Sequence, residues 1–226
     1  MNADETYQQL TARYDMVVEG FRFLLDDTEK ERDKFPARFL KQINSPIHGI
    51  DHWARVCLYG LDIGNNLWVK QQVDTRVFVS HDKFEQAIIH AAFFHDCARI
   101  TEGCEFDHGR WAEKVWRSYS GRKGFEEGYT AAISEALLLH VENVKTEAGA
   151  LAISLCNGDR LDRIRLGELP DPKRMYVEDR WLILREFSIQ LFQEYNFARA
   201  KNDMIRIKIK IWFLPIFIFA ILMYRT

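Results

Sequence analysis

The sequence predicts an all-α fold, and three observations carry that expectation. Apolar residues recur three and four apart through most segments, the period of one buried helix face. Only five prolines interrupt 226 residues, and the polar connections are short. Short amphipathic segments joined this way bury their stripes against one another as a helical bundle.

Taken in order, residues 5–26 place Leu10, Tyr14, Val17, Val18, Phe21 and Leu24 on one stripe. The charged run DDTEKERDKFPAR that follows reads as a solvated connection. In NSPIHGIDHWARVCLYGLDIGNNLW, Ser45 reads as an N-cap and Pro46 as the first helical residue, since proline at that position loses no helical N–H bond. The next helix is expected from Asp82, with Asp82 as its cap and His81 in the loop before it. Its second half, up to His95, is almost wholly apolar. DHGRWAEKVWRSYSG is expected to stop at Gly121. EEGYTAAISEALLLHVENV and TEAGALAISLCNGDRLDRIR predict two further helices, and YVEDRWLILREFSIQLFQEYNFARA a long amphipathic one.

The C-terminal tail differs. IRIKIKI alternates apolar and basic residues, as a half-buried strand does. Ile211 to Tyr224 is then continuously apolar over 14 residues, with Pro215 inside it. A membrane span needs about 17–25 such residues, although Lys208 and Lys210 could snorkel and extend the usable length. The run reads as a segment packed on the protein or a partner, as a tail anchor, or as a non-native terminus. Membrane association or self-association through it is therefore an open expectation.

Composition narrows the function classes. Thirty-one basic residues stand against 33 acidic ones, so no global field favours nucleic acid. MNADETYQQL has neither the basic nor the apolar region of a secretory leader. Cys57, Cys97, Cys104 and Cys156 form no CxxC pair. Free thiols in a cytoplasmic protein are the expectation.

The chemistry lies in the histidines. His48 and His52 are four apart, the doublet His95-Asp96 ends an apolar helix, and His108 opens the next. His140 closes ALLLH, and Asp159 lies in NGDRLDRIR. Each stands at the margin of a strongly apolar stretch. Converging four imidazoles and two carboxylates without a cation would leave buried charge uncompensated, which is costly. His90, five residues before His95, points elsewhere and reads as a core histidine. Arg55 reads as bridging helices through a carboxylate, and Asp162 and Arg163 as a structural ion pair or surface charges.

His52 in HWARV, His95-Asp96 after AIIHAAFF and Asp159 in GDRLDRIR resemble, in order and spacing, the three ligand motifs of the HD-domain metal-dependent phosphohydrolase superfamily. The resemblance covers residues 45–167. It implies an HD-like helical bundle with an extra N-terminal helix, a long C-terminal helix and an apolar tail. The corresponding division is an N-terminal extension over 1–44, an HD-like domain over 45–200 and a tail over 201–226. It implies His52, His95, Asp96 and Asp159 as ligands of one metal. His108 and His140 look like the additional ligands of the two-metal branch, in which Asp96 bridges the ions. Arg99 stands where cyclic-dinucleotide phosphodiesterases often carry Lys and many nucleotidases Glu, and the extended motif of the former is missing.

An imidazole-rich set with carboxylates suits Mn, Fe, Co, Ni or Zn better than Ca, with Mg a further option, as one or two ions. The expected activity is hydrolysis of a phosphomonoester or phosphodiester in a nucleotide-like small molecule, by metal-activated hydroxide. Asp96 is expected at the reaction centre, Arg99 against phosphoryl oxygens, and His48 bonding a ligand or the substrate. A non-catalytic HD-like module that binds a nucleotide or partner, and a di-iron oxygenase, remain the alternatives.

Overall fold

The computed structural model describes residues 16–17, 19–103, 105, 107–141, 148–168 and 175. Within them the chain is all-α, with six α-helices and no strand. The N-terminal helix, α1, is described up to residue 29. After a 3-10 turn over Arg32–Lys34 come α2 (Ile50–Val69), α3 (His81–Phe94), α4 (His108–Lys123), α5 (Glu127–Leu139) and α6 (Ala150–Asp162). A second 3-10 turn, Arg163–Leu166, continues α6 and ends at Gly167 in the left-handed region. The long C-terminal helix and the apolar tail of the sequence expectation lie outside the described residues. No described helix is long and apolar enough to cross a membrane.

Helix α3 is the inner member. Phe84, Ala87, Ile88, Ile89, Ala91, Ala92, Phe93 and Phe94 are all buried. The second half of the helix is almost wholly apolar and is covered on nearly every side. Here α2, α5, α6 and α4 pack against it, with α1 closing the gap through Val17, Phe21 and Leu24. Phe21 meets Phe93 edge-on at 5.6 Å between ring centroids, so the N-terminal helix shares the bundle core. Around His90, the rings of Trp116, Phe125 and Tyr129 form an aromatic cluster. The His90 Nδ1 lies 2.9 Å from the Tyr129 hydroxyl, in agreement with a core histidine.

Two glycines set how closely the site-bearing helices approach. α2 packs most extensively against α6. A Cβ at Gly158 would lie 2.6 Å from the Val56 carbonyl oxygen and 3.2 Å from the Gly60 nitrogen. At Gly60 a Cβ would meet Ile88 Cγ2 at 3.1 Å. The hydrogen side chain of Gly158 therefore lets backbone touch backbone, one residue before Asp159.

Three helix boundaries differ from the sequence expectation. Ser45 Oγ accepts from the Ile47 and His48 backbone N–H groups, as a cap would, but the helix starts only at Ile50. The chain turns first: the Gly49 N–H bonds Ser45 O and the Ile50 N–H bonds Ile43 O. His48 therefore sits in a turn, not on the helix of His52. Ser80, not Asp82, caps α3, its side chain accepting from the Lys83 N–H, and His81 is the first helical residue. Helix α4 runs past Gly121 to Lys123 and ends at Gly124, whose φ of 70° suits glycine.

Gly158→Ala should cost about 1–3 kcal/mol, because the obstructing atoms are backbone and α6 must shift bodily. Urea denaturation would show it as a lower midpoint at unchanged slope. Burial also pushes the His90 imidazole down from 6.5 to about 4. The unfolded chain therefore binds a proton that the folded one refuses, and stability is lost as pH falls through that window. In His90→Phe, stability should fall less steeply between pH 6.5 and 4, read by denaturation at several pH values.

Candidate metal centre

Four imidazoles converge, and each is oriented through its Nδ1. His95 Nδ1–H donates to Ala92 O (2.7 Å) and His140 Nδ1–H to Leu137 O (2.6 Å). His108 Nδ1–H donates to Glu105 O, and His52 Nδ1–H to Asp162 Oδ2 (2.6 Å). Carbonyl and carboxylate oxygens only accept, so in a neutral ring Nδ1 carries the proton and Nε2 the lone pair. The four Nε2 atoms face inward in two pairs, His52–His95 at 3.2 Å and His108–His140 at 2.9 Å.

Asp96 stands between the pairs. Its Oδ2 lies 3.6 Å from His52 Nε2 and 3.8 Å from His95 Nε2. Its Oδ1 lies 3.2 Å from His108 Nε2 and 3.8 Å from His140 Nε2. Asp159 Oδ1 reaches His52 Nε2 at 3.3 Å. Potential ligand atoms are grouped as His52–His95–Asp159, as Asp96–His108–His140 and, overlapping both, as His48–His52–Asp96. Ligands at about 2.0–2.2 Å from one ion lie roughly 3–3.5 Å from each other, which is close to these separations. All six residues named from the sequence as ligands meet at this one place.

His48 and Arg99 also reach it. His48 Nδ1–H donates to Asp96 Oδ2 (3.1 Å). Arg99 turns inward: its Nη1 lies 3.6 Å from Asp96 Oδ1 and 3.1 Å from both ring nitrogens of His108. Asp159 and His48, with side chains 26% and 16% exposed, are the members solvent reaches most. His81, Asp82 and Glu85 form a separate, more exposed group on α3, to which no function is attached.

Electrostatics match a cation-binding cluster. Burial opposes charging His52, but hydrogen bonds to Asp159, Asp162 and Asp96 outweigh it and push its pKa up to about 10. Burial holds His95 down at about 3 and His108 at about 4. Asp96 is held well below the usual carboxylate range: burial works against this, and the surrounding His95, His140, His48 and His52 prevail, His48 through a direct hydrogen bond. The ion-free cluster therefore needs a proton on His52, in the place where the donor set would accept a metal.

Sequence reasoning missed two supports. Asp162 is not a surface charge; it orients His52 and is itself gripped by Arg55 through Nε (2.6 Å) and Nη2 (3.1 Å). Its signal was present, since Asp162 lies three residues after Asp159, one turn along the same helix face. The reading of Arg55 as bridging helices through a carboxylate holds. The second support is Arg38. It donates to Ala98 O (2.6 Å), pairs with Glu105 and lies over the Trp111 ring. This fastens the connection between Arg99 and His108, and no local pattern announces it.

Comparison of the chain with family models, with curated proteins and with solved structures finds no match. The site therefore rests on its own geometry.

Asp162→Asn should weaken metal binding about 10–100-fold, because the neutral amide lowers the basicity of His52 while leaving an acceptor for its N–H. Competition against a chromogenic chelator would measure the change, with circular dichroism checking that the helices persist.

Proposed function

We propose that this chain is a metal-dependent phosphohydrolase of the HD-domain type, acting on a phosphomonoester or phosphodiester of a nucleotide-like small molecule. The observation that carries the reading is the position of Asp96, whose two carboxylate oxygens face two different pairs of imidazole lone pairs. A helical fold, the order of the motifs and the buried donor set support it. The finer HD-like arrangement and the cytoplasmic location belong to the same proposal.

In this reading His52, His95, Asp96 and Asp159 hold a divalent ion, with His108 and His140 available to another. The donor set favours Mn, Fe, Co, Ni or Zn over Ca. An ion bound there supplies Lewis acidity, lowering the pKa of water toward neutrality and offsetting charge on phosphoryl oxygens. The residues do the rest. Asp162 and the main-chain carbonyls keep each Nδ1 protonated, so that Nε2 stays a donor to metal. His48 restrains the Asp96 carboxylate from the more open side. Arg99 brings a fixed positive charge beside Asp96, suited to a phosphoryl oxygen. Substrate approaches past Asp159 and His48, the most exposed members.

The test is phosphate release from a panel of nucleotides and an aryl phosphate by protein loaded separately with Mn, Co, Ni and Fe. Turnover is expected with at least one pairing, lost with chelator, restored by metal and absent from Asp96→Ala. Stoichiometric metal without turnover on any member would favour the non-catalytic binding module instead.

A further inference from the structure

The two halves of the site are not equivalent in charge. Around His52 and His95 stand Asp159 and Asp96 Oδ2, with Asp162 behind His52, and the neighbouring cation Arg55 is spent on Asp162. Around His108 and His140 stands, among the described residues, one carboxylate oxygen, Asp96 Oδ1, and a guanidinium already lies against it. Arg99 Nη1 is within hydrogen-bonding distance of the same His108 Nε2 that an ion would need. Its equal distance from both ring nitrogens places Nη1 over the face of the His108 ring, so the guanidinium charge stands beside the Nε2 lone pair that an ion would take.

The seat of Arg99 is also incomplete. Its Nη2 donates to Gly103 O (2.8 Å), but its Nε is buried without a partner among the described residues. Only 9% of the side chain is exposed, so the unpaired N–H carries a real desolvation cost.

We propose that Arg99 competes with a cation for the Asp96–His108–His140 half-site, making it the weaker of two unequal metal positions, while His52–His95–Asp159 holds the tight one. The inference rests on the metal centre proposed above and adds an order of filling. With one dication bound, the charges of Asp96 and Asp159 are balanced and Arg99 leaves a single positive excess, which favours an anionic ligand. A second dication must enter against Arg99, and like charges a few ångströms apart repel strongly at low effective dielectric. When that ion enters, Arg99 gives up His108 and becomes free to meet an anion.

The test is titration of metal-free full-length protein with Mn(II), followed by calorimetry and by electron paramagnetic resonance. Wild type should bind one ion tightly, with the spectrum of an isolated ion, and a second at least about tenfold more weakly. Arg99→Gln should tighten the second step about tenfold or more and leave the first within about twofold, with a coupled two-ion spectrum at lower metal concentration. Arg99→Lys, which keeps the charge, should stay closer to wild type and serves as the check should the glutamine variant fold poorly. His140→Ala should lose only the second step. Equal affinities in wild type, or a second step unmoved in Arg99→Gln, would overturn the proposal while leaving the metal centre standing. A wild type that binds no ion would overturn both.

Discussion

Asp96 is a carboxylate taken out of water at the end of a helix whose second half is almost wholly apolar, and the rest of the site answers that fact. An isolated buried charge is not sustainable in a protein interior. Asp96 is kept ionised by the His48 N–H in the turn before α2 and by the charged His52 on α2, and the His108 and His140 rings turn toward it from the start of α4 and the end of α5. His95 adds its own ring from the adjacent residue. His52, which compensates Asp96, also lies within metal-ligating distance of His95 and Asp159, so stability of the core and the shape of the site are one problem here.

The turn that presents Asp96 has its own support. Leu40, not a glycine, adopts a φ of 57°. Such a conformation costs on the order of 1 kcal/mol or more and persists where surroundings over-determine it. Leu40 is buried, and its N–H donates to Cys97 O at 2.7 Å. The segment before α2 is thereby pinned to the residue that follows the doublet. The helix pair α2 and α6, drawn together at Gly158, sets the other dimension by bringing Asp159 and Asp162 onto the two nitrogens of His52.

Much of this was legible in the sequence. The helical period and the placing of histidines at the margins of apolar runs depend on burial, which a hydrophobic pattern records directly, and all six ligand candidates converge. Helix starts were less legible. Ser45 does accept backbone N–H groups, but a tight turn and a helix cap use the same hydroxyl chemistry, and only the Ile50–Ile43 hydrogen bond distinguishes them. Ser80 and Asp82 are both good caps, and the chain uses the earlier one. Arg38 and Arg55 act across 60 and 107 residues of sequence, where no local pattern reports. The apolar run from Ile211 to Tyr224 falls outside the described residues and keeps its three readings.

The hydrogen bond between His52 and Asp162 joins residues 110 apart in the chain. An ion held by His52 and Asp159 would close a loop of nearly that length, so its binding would act on the unfolded ensemble much as a cross-link does. The described cysteines, Cys57, Cys97 and Cys156, are free and buried and provide no such cross-link. For this chain the metal would be the staple as well as the reagent, and the supply of metal would set how much of the protein is folded.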